Sequence, residues 1–247
     1  MTKILLSLLT LPLWSAHAQI HYQHDFESAV PKTGERIKTM SVTDAKIVPV
    51  SSTKETAAAK PEGKNSALMI QGGVEEPHQW QPAGDITLPD LKENYLYIGF
   101  MLKNASFDAS LFGIQVSNNQ PAEGKYGVYQ RMRMYPTHIS LSGTGRGLGK
   151  EQLSSGNDAK WMNVEWIIPT PGAAGTPRLL MNGVDQGELR LEPVTEDVPS
   201  LNLIRIWLPG RKGEDTKFLI DDVLIASAPT LEKLGALVRK GPRSALP

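Results

Sequence analysis

"WMNVEWIIPTPGAAGTPRLLMNGVDQG", residues 161–187, divides into an apolar run opened by a tryptophan, a Pro/Gly-rich break, and a second run closed by Asn182-Gly183. Asn-Gly between strand-forming residues marks a two-residue hairpin, because both central positions of that turn need positive φ. The stretch therefore predicts strands over 160–168 and 177–182, with another over 187–191, and no helix between them.

The same punctuation spreads outward. From Ile20 onward, short runs rich in Val, Ile, Tyr and Trp alternate with clusters of Gly, Pro, Asn, Ser and Asp. Further strands are expected over 20–26, 46–50, 66–71, 84–88, 94–103, 110–117, 125–134, 137–142, 201–208 and 216–226. Many strands without regular helical crossovers favour two packed antiparallel sheets over a parallel α/β arrangement. Segment 51–65, "SSTKETAAAKPEGKN", has no apolar period of either kind and reads as a long exposed loop.

After Pro229 the pattern changes. Leu231, Leu234, Leu237 and Val238 recur at helical spacing, with Thr230 as N-cap and Gly241-Pro242 as a stop. One short amphipathic helix laid on the sandwich is expected. The basic residues Arg239, Lys240 and Arg243 beside it leave docking of a protein partner as the alternative.

The first eighteen residues read as an export signal: Lys3, an apolar core from Ile4 to Trp14, and Ala16-His17-Ala18 as a small-x-small cleavage site before Gln19. The apolar stretch is too short to span a bilayer, and no later run reaches that length. The expected division is a signal peptide at 1–18, a sandwich domain at 19–228 and a helix with tail at 229–247. The chain has no cysteine, so it has neither disulfide nor thiolate metal site, which fits an exported bacterial protein, periplasmic or secreted. With 26 Lys and Arg against 26 Asp and Glu, it lacks the basic excess of a nucleic-acid binder.

"KFLIDDVLIAS", residues 217–227, sets two carboxylates inside an apolar strand. Alternation puts Phe218, Ile220, Asp222 and Leu224 on one face and Leu219, Asp221, Val223 and Ile225 on the other. At least one carboxylate then meets a packed surface and needs a partner, since burying it unpaired costs several kcal/mol. That partner is either a hydrogen-bonding or basic group, or a hard cation with oxygen ligands.

Together with "HDFES" at 24–28, "NSALMIQGG" at 65–73 and "LNLIRIWLPG" at 201–210, these stretches resemble the concanavalin A-like lectin/glucanase jelly rolls, in particular the LamG-like domains of exported bacterial proteins. The pieces run in the family's order over essentially the whole chain after residue 18. The resemblance implies an all-β, antiparallel two-sheet jelly roll in which Trp161 and Trp166 pack in the core. It also implies that the first and last strands lie together, where Asp25 or Glu27 with Asp222 would share a structural calcium ion.

"GKYGVYQRMRMYP" at 124–136 is the candidate ligand strand. Alternation places Tyr129, Arg131, Arg133 and Tyr135 on one face, and Tyr126, Val128, Gln130, Met132 and Met134 on the core face. Tyrosines bracketing two guanidinium groups suit stacking on sugar rings and pairing with carboxylate or sulfate. A solvated face with arginine stems over tyrosine rings is the plain alternative. Trp80, in "EEPHQW", is expected in a loop bordering the cleft, as an aromatic platform.

Enzymatic readings find less support. "KYGVYQ" is similar to a strand of jelly-roll alginate lyases, which would make Tyr129 the acid or base and Arg131 and Arg133 its partners, but the family's arginine-rich strand and "QIH" motif are missing. A glycoside hydrolase needs paired carboxyl groups, whereas Glu165 stands alone in its strand. "GTGRGLGK" at 143–150 lacks the Ser or Thr and the helix of a phosphate loop, and His21 and His24, three apart on a strand, do not make a zinc site. The leading expectation is a non-catalytic module binding polysaccharide, with acidic polysaccharide favoured by the arginines. A polysaccharide lyase or glycoside hydrolase, and a partner-docking sandwich, are the alternatives.

Overall fold

The computed structural model describes residues 17–24, 36–37, 40–42, 45–49, 66–71, 80–106, 112–120, 125–134, 139–141, 159–188, 198, 200–209 and 216–240. In chain order its strands are β1 (Gln19–His24), β2 (Arg36–Ile37), β3 (Met40–Val42), β4 (Ala45–Pro49), β5 (Ser66–Gln71), β6 (Trp80–Thr87), β7 (Tyr95–Asn104), β8 (Phe112–Gln120), β9 (Lys125–Met134) and β10 (Ile139–Leu141). They continue with β11 (Met162–Pro169), β12 (Arg178–Met181), β13 (Val184–Glu188), β14 (Leu203–Pro209) and β15 (Lys217–Ala228), followed by the helix α1 (Leu231–Lys240). The loop expected over 51–65 lies outside the described residues.

Two sheets form, and every pairing described within them is antiparallel. An eight-stranded sheet runs β13-β12-β11-β7-β15-β5-β4, with β1 also on β15; a seven-stranded sheet runs β10-β9-β8-β14-β6-β3-β2. The fold is the all-β sandwich expected from the strand pattern. Alternation sends Leu96, Ile98, Phe100 and Leu102 of β7 into the gap to meet Phe112, Ile114 and Val116 of β8. Phe112 joins the layers, with ring centroids 5.8 Å from Phe100 and 5.3 Å from Phe218.

The hairpin expected at Asn182-Gly183 forms as a turn of positive φ, 51° at Asn182 and 78° at Gly183. Its second strand starts directly at Val184, three residues earlier than expected. The Asn182 carboxamide adds a lock, its Oδ1 accepting the Asn163 N–H at 2.9 Å.

The two aspartates of β15 sit where that strand changes partners. β7 runs along one edge from Phe218 to Ala228, while the other edge is shared by β5, pairing 217–220, and β1, pairing 223–227. Asp221 and Asp222 fill the break, in a bulge against β7. Asp222 takes φ 46°, a left-handed conformation that Asp tolerates better than branched residues, and its N–H donates to Asp221 Oδ1 at 2.8 Å. The bulge overturns simple alternation across 218–225: Ile220, Val223 and Ile225 face the inter-sheet core, whereas Leu219 and Leu224 face outward.

α1 closes the outer face of the eight-stranded sheet. Leu234 and Val238 pack on Tyr97, Leu224, Ala226 and Ala228, and the Thr230 hydroxyl caps the helix by accepting the Lys233 N–H at 3.2 Å. Of the stripe expected from the sequence, Leu234, Leu237 and Val238 are thus spent on the chain's own sheet, while Leu231 stays exposed. Among the described residues no helix is long and apolar enough to cross a membrane.

β1 is fastened by Tyr22, buried in the core, and by a polar relay. His21 Nε2 lies 2.7 Å from Ser227 Oγ, which donates to Glu93 Oε2 at 3.1 Å. Burial holds the imidazole below its ordinary pKa, against an opposing pull from the Glu93 carboxylate. A group with a depressed folded pKa binds its proton more readily when unfolded, so stability falls as pH drops below about 6.5 and is fully present above it. His21→Gln is expected to flatten that fall in denaturant midpoints taken between pH 7 and 5; an unchanged profile removes His21 as its source.

Candidate functional site

The outward face of the seven-stranded sheet carries two cross-strand rows. In the first, Gly113 of β8 is opposed by Arg133 of β9 on one side and Trp207 of β14 on the other. In the second, Gln115 stands between Arg131 and Arg205, and Arg205 is opposed by Asp85 of β6. These residues point away from the core because Phe112, Ile114, Ile204 and Ile206 between them point into it.

The second row is knitted together. Arg205 grips Asp85 with both ends of its guanidinium, Nε and Nη2 each at 2.7 Å from a carboxylate oxygen. The same guanidinium lies 5.5 Å from the Trp207 ring centroid, so the ion pair also holds a cation against the indole. Arg131 Nε donates to Gln115 Oε1 at 3.3 Å.

The first row is open at its centre. Glycine places no side chain between Arg133 and Trp207, and a depression of about 80 Å³ results, lined by Gly113, Arg131, Arg133 and Trp207. Among the described residues no acceptor reaches the buried Trp207 Nε1 or the buried Gln115 Nε2. An aromatic wall, a flat floor and guanidinium groups on the rim suit a ring-shaped polar ligand held by stacking and hydrogen bonds.

The expected contact set is divided by a bulge. Ser117 pairs with Val128 but Val116 with Gln130, leaving Tyr129 as the extra residue. Tyr129 packs against the inter-sheet core and its hydroxyl donates to the Pro169 carbonyl of β11, in the other sheet, at 3.0 Å. The single face of Tyr129, Arg131 and Arg133 read from alternation therefore does not form: only the two arginines share it. Burial also pushes the Tyr129 phenol above its ordinary pKa, away from the form that would act as a base. Tyr135 lies outside the described residues. Trp80 opens β6, paired with Pro209, and is not in a loop; its indole is outside the described side chains.

For the calcium set, Asp25 and Glu27 lie outside the described residues. The β1–β15 register ends at His24 opposite Val223, one residue short of Asp25 in one strand and of Asp222 in the other. The first and last strands are therefore neighbours. Among the described residues no group of three or more His, Asp or Glu is placed to hold a metal ion.

Sequence reasoning missed Trp207, Gly113 and Gln115. The alternation of "LIRIWLP" already sets Arg205 and Trp207 on one face, but nothing local says that β14 inserts between β8 and β6. Glu165, weighed as a lone carboxylate, is far from this site: it is buried on the outer face of the eight-stranded sheet, accepting the Tyr97 hydroxyl at 2.6 Å.

No protein-family model matches the chain, and no curated protein matches it in sequence. Solved structures do. The conserved carbohydrate esterase of the Shiga toxin-encoding bacteriophage phi24B superposes with a TM-score of 0.51 at 10% identity, covering 85% of this chain and 99% of that one. The catalytic domain of a glycoside hydrolase family 131 protein from Coprinopsis cinerea gives 0.51 at 11% identity, covering 86% and 96%. The chain shares the two-sheet, all-β sandwich fold of these structures. At this identity the likeness speaks to fold alone.

Proposed function

We propose that the protein is an exported, non-catalytic carbohydrate-binding jelly roll that takes glycan on the outward face of its seven-stranded sheet. The observation that carries this is the depression over Gly113, walled by Trp207 and rimmed by Arg131 and Arg133. The two structural neighbours, named for an esterase and a glycoside hydrolase, support a carbohydrate setting without choosing between binding and catalysis. Binding is favoured because hydrolysis needs two carboxyl groups flanking the scissile bond. The described residues lining the depression carry none, and Asp85 is held by Arg205. The lyase alternative loses its acid or base, since the Tyr129 hydroxyl is turned toward Pro169.

A glycan array probed with the protein, Trp207→Ala and Arg131→Ala tests the reading. Losing the ring is expected to weaken binding about 10- to 100-fold, and losing the guanidinium about 10-fold. Binding unchanged in both variants eliminates the site. An EDTA arm covers the calcium proposed on Asp25, Glu27 and Asp222, and reducing ends released from a bound glycan would turn the reading to an enzyme.

A further inference from the structure

We infer that Asn182 is a hydrolytic modification site, guarded while its hairpin is closed and converted to isoaspartate when the hairpin opens. The inference is independent of what the protein binds.

The chemistry is intrinsic to the Asn182-Gly183 pair. The amide nitrogen of Gly183 attacks Cγ of Asn182 and forms the new bond of a five-membered succinimide. The Cγ–Nδ2 bond breaks, and the proton shed by the amide leaves with that nitrogen as ammonia. Water then opens the ring at either carbonyl. One product is aspartate; the other is isoaspartate, whose main chain runs through Cβ and Cγ. Water is the sole co-reactant, and it has access. Asn182 and Gly183 are both exposed, and among the described residues nothing lies within 4 Å of where a Cβ at 183 would stand. Glycine also leaves the attacking nitrogen uncrowded.

The closed hairpin withholds the geometry. Positive φ at both residues, 51° and 78°, fits a type I′ turn, whose first central residue has ψ at about +30°. At that ψ, Cβ of Asn182 lies nearly opposite the Gly183 nitrogen across the Cα–C bond, whereas ring closure needs the two eclipsed. A second restraint holds the side chain itself. Asn182 Oδ1 accepts the Asn163 N–H at 2.9 Å while the Asn182 N–H donates to the Asn163 carbonyl at 2.8 Å, so the carboxamide is drawn back onto β11. Both restraints must be released before the nitrogen reaches Cγ.

The hairpin is placed to open by itself. β13 is an edge strand of five residues, paired among the described residues with β12 alone, and Val184 at its start is 41% exposed. Such edges open locally at less than the free energy of global unfolding. Reclosure after conversion is not equivalent. Aspartate at 182 still presents an acceptor to Asn163, but isoaspartate adds a backbone atom to a two-residue turn whose length sets Met181 opposite Val184. Conversion therefore keeps β13 from pairing as before.

The test follows the whole protein in heavy-oxygen water at mildly alkaline pH, with peptide mapping that separates aspartate from isoaspartate at position 182. Native protein is expected to convert at least about 10-fold more slowly than the same chain unfolded in urea, a margin set by the free energy of opening. Val184→Gly, which weakens the edge strand and leaves both central turn residues in place, should speed conversion of the native protein severalfold and leave the rate in urea unchanged. Amide exchange over β13 should be faster in the isoaspartate form than in the aspartate form, once the two are separated by chromatography. Equal rates in native and unfolded chains overturn the guard. That comparison uses the parent chain, so it stands whatever Val184→Gly does to folding. A folded Val184→Gly protein that converts at the parent's rate overturns β13 opening as the route, and no conversion even in urea removes Asn182 as a site.

Discussion

Gly99→Ala is expected to lower the unfolding free energy by about 2–4 kcal/mol, a large loss for a methyl group added to a strand. Gly99 lies on the outer face of the eight-stranded sheet, opposed by Glu165 on β11 and Leu224 on β15. The Tyr97 ring folds across it to reach Glu165. A Cβ at position 99 would stand 2.5 Å from the Tyr97 hydroxyl oxygen, 2.7 Å from Cε1 and 2.8 Å from Cζ. The ring cannot swing clear, because it is buried beneath Leu234 and Val238 of the helix. Displacing it also takes the hydroxyl away from Glu165, whose carboxyl is 1% exposed and cannot turn to water instead. Denaturant midpoints of Gly99→Ala, Tyr97→Ala and the double variant decide the matter. The double variant should cost at least about 1 kcal/mol less than the sum, since removing the ring makes room for the methyl group. Additive losses, or a Gly99→Ala protein within about 0.5 kcal/mol of the parent, refute the account.

Trp166→Ala is the second large effect, at about 3–5 kcal/mol. Trp166 is fully buried between the sheets, while Trp161 is 6% exposed and packs with Ala67, Met101 and Leu219 in a small cluster on the outer face. Both were expected in the core. Their separation by five residues in an extended chain puts them on opposite faces, and only one face borders the main core. Truncating Trp161 should therefore cost roughly half as much, because its pocket borders fewer buried groups and can collapse. Against a total stability of about 5–15 kcal/mol, Trp166→Ala should shift the denaturant midpoint far more than Trp161→Ala. The reverse order would place the main core on the wrong side of β11.

The candidate site was only half legible. Arg131 and Arg133 were found because strand alternation holds from Gln130 to Met134. Tyr129 was misplaced because one extra residue at a bulge reverses alternation, and no glycine or proline stands at 128–130 to announce it. The bulge at Asp221 and Asp222 was signalled, by carboxylates where apolar residues belong, yet the signal admitted both a cation and the backbone N–H found there. Trp207 was missed for a different reason. Its strand is contributed some 70 residues after β9, and a local pattern contains no term for which strand lies beside which.

By itself the sequence determined that this chain forms antiparallel strands, a hairpin at Asn182-Gly183 and a capped terminal helix. Each follows from backbone sterics and hydrophobic spacing within a dozen residues. Only the tertiary structure decided that Trp207 stands beside Gly113, that Tyr129 turns inward, and that the last strand exchanges β5 for β1 at its two aspartates. Those outcomes depend on burying two whole sheets against one another, a condition that no short stretch of chain can express.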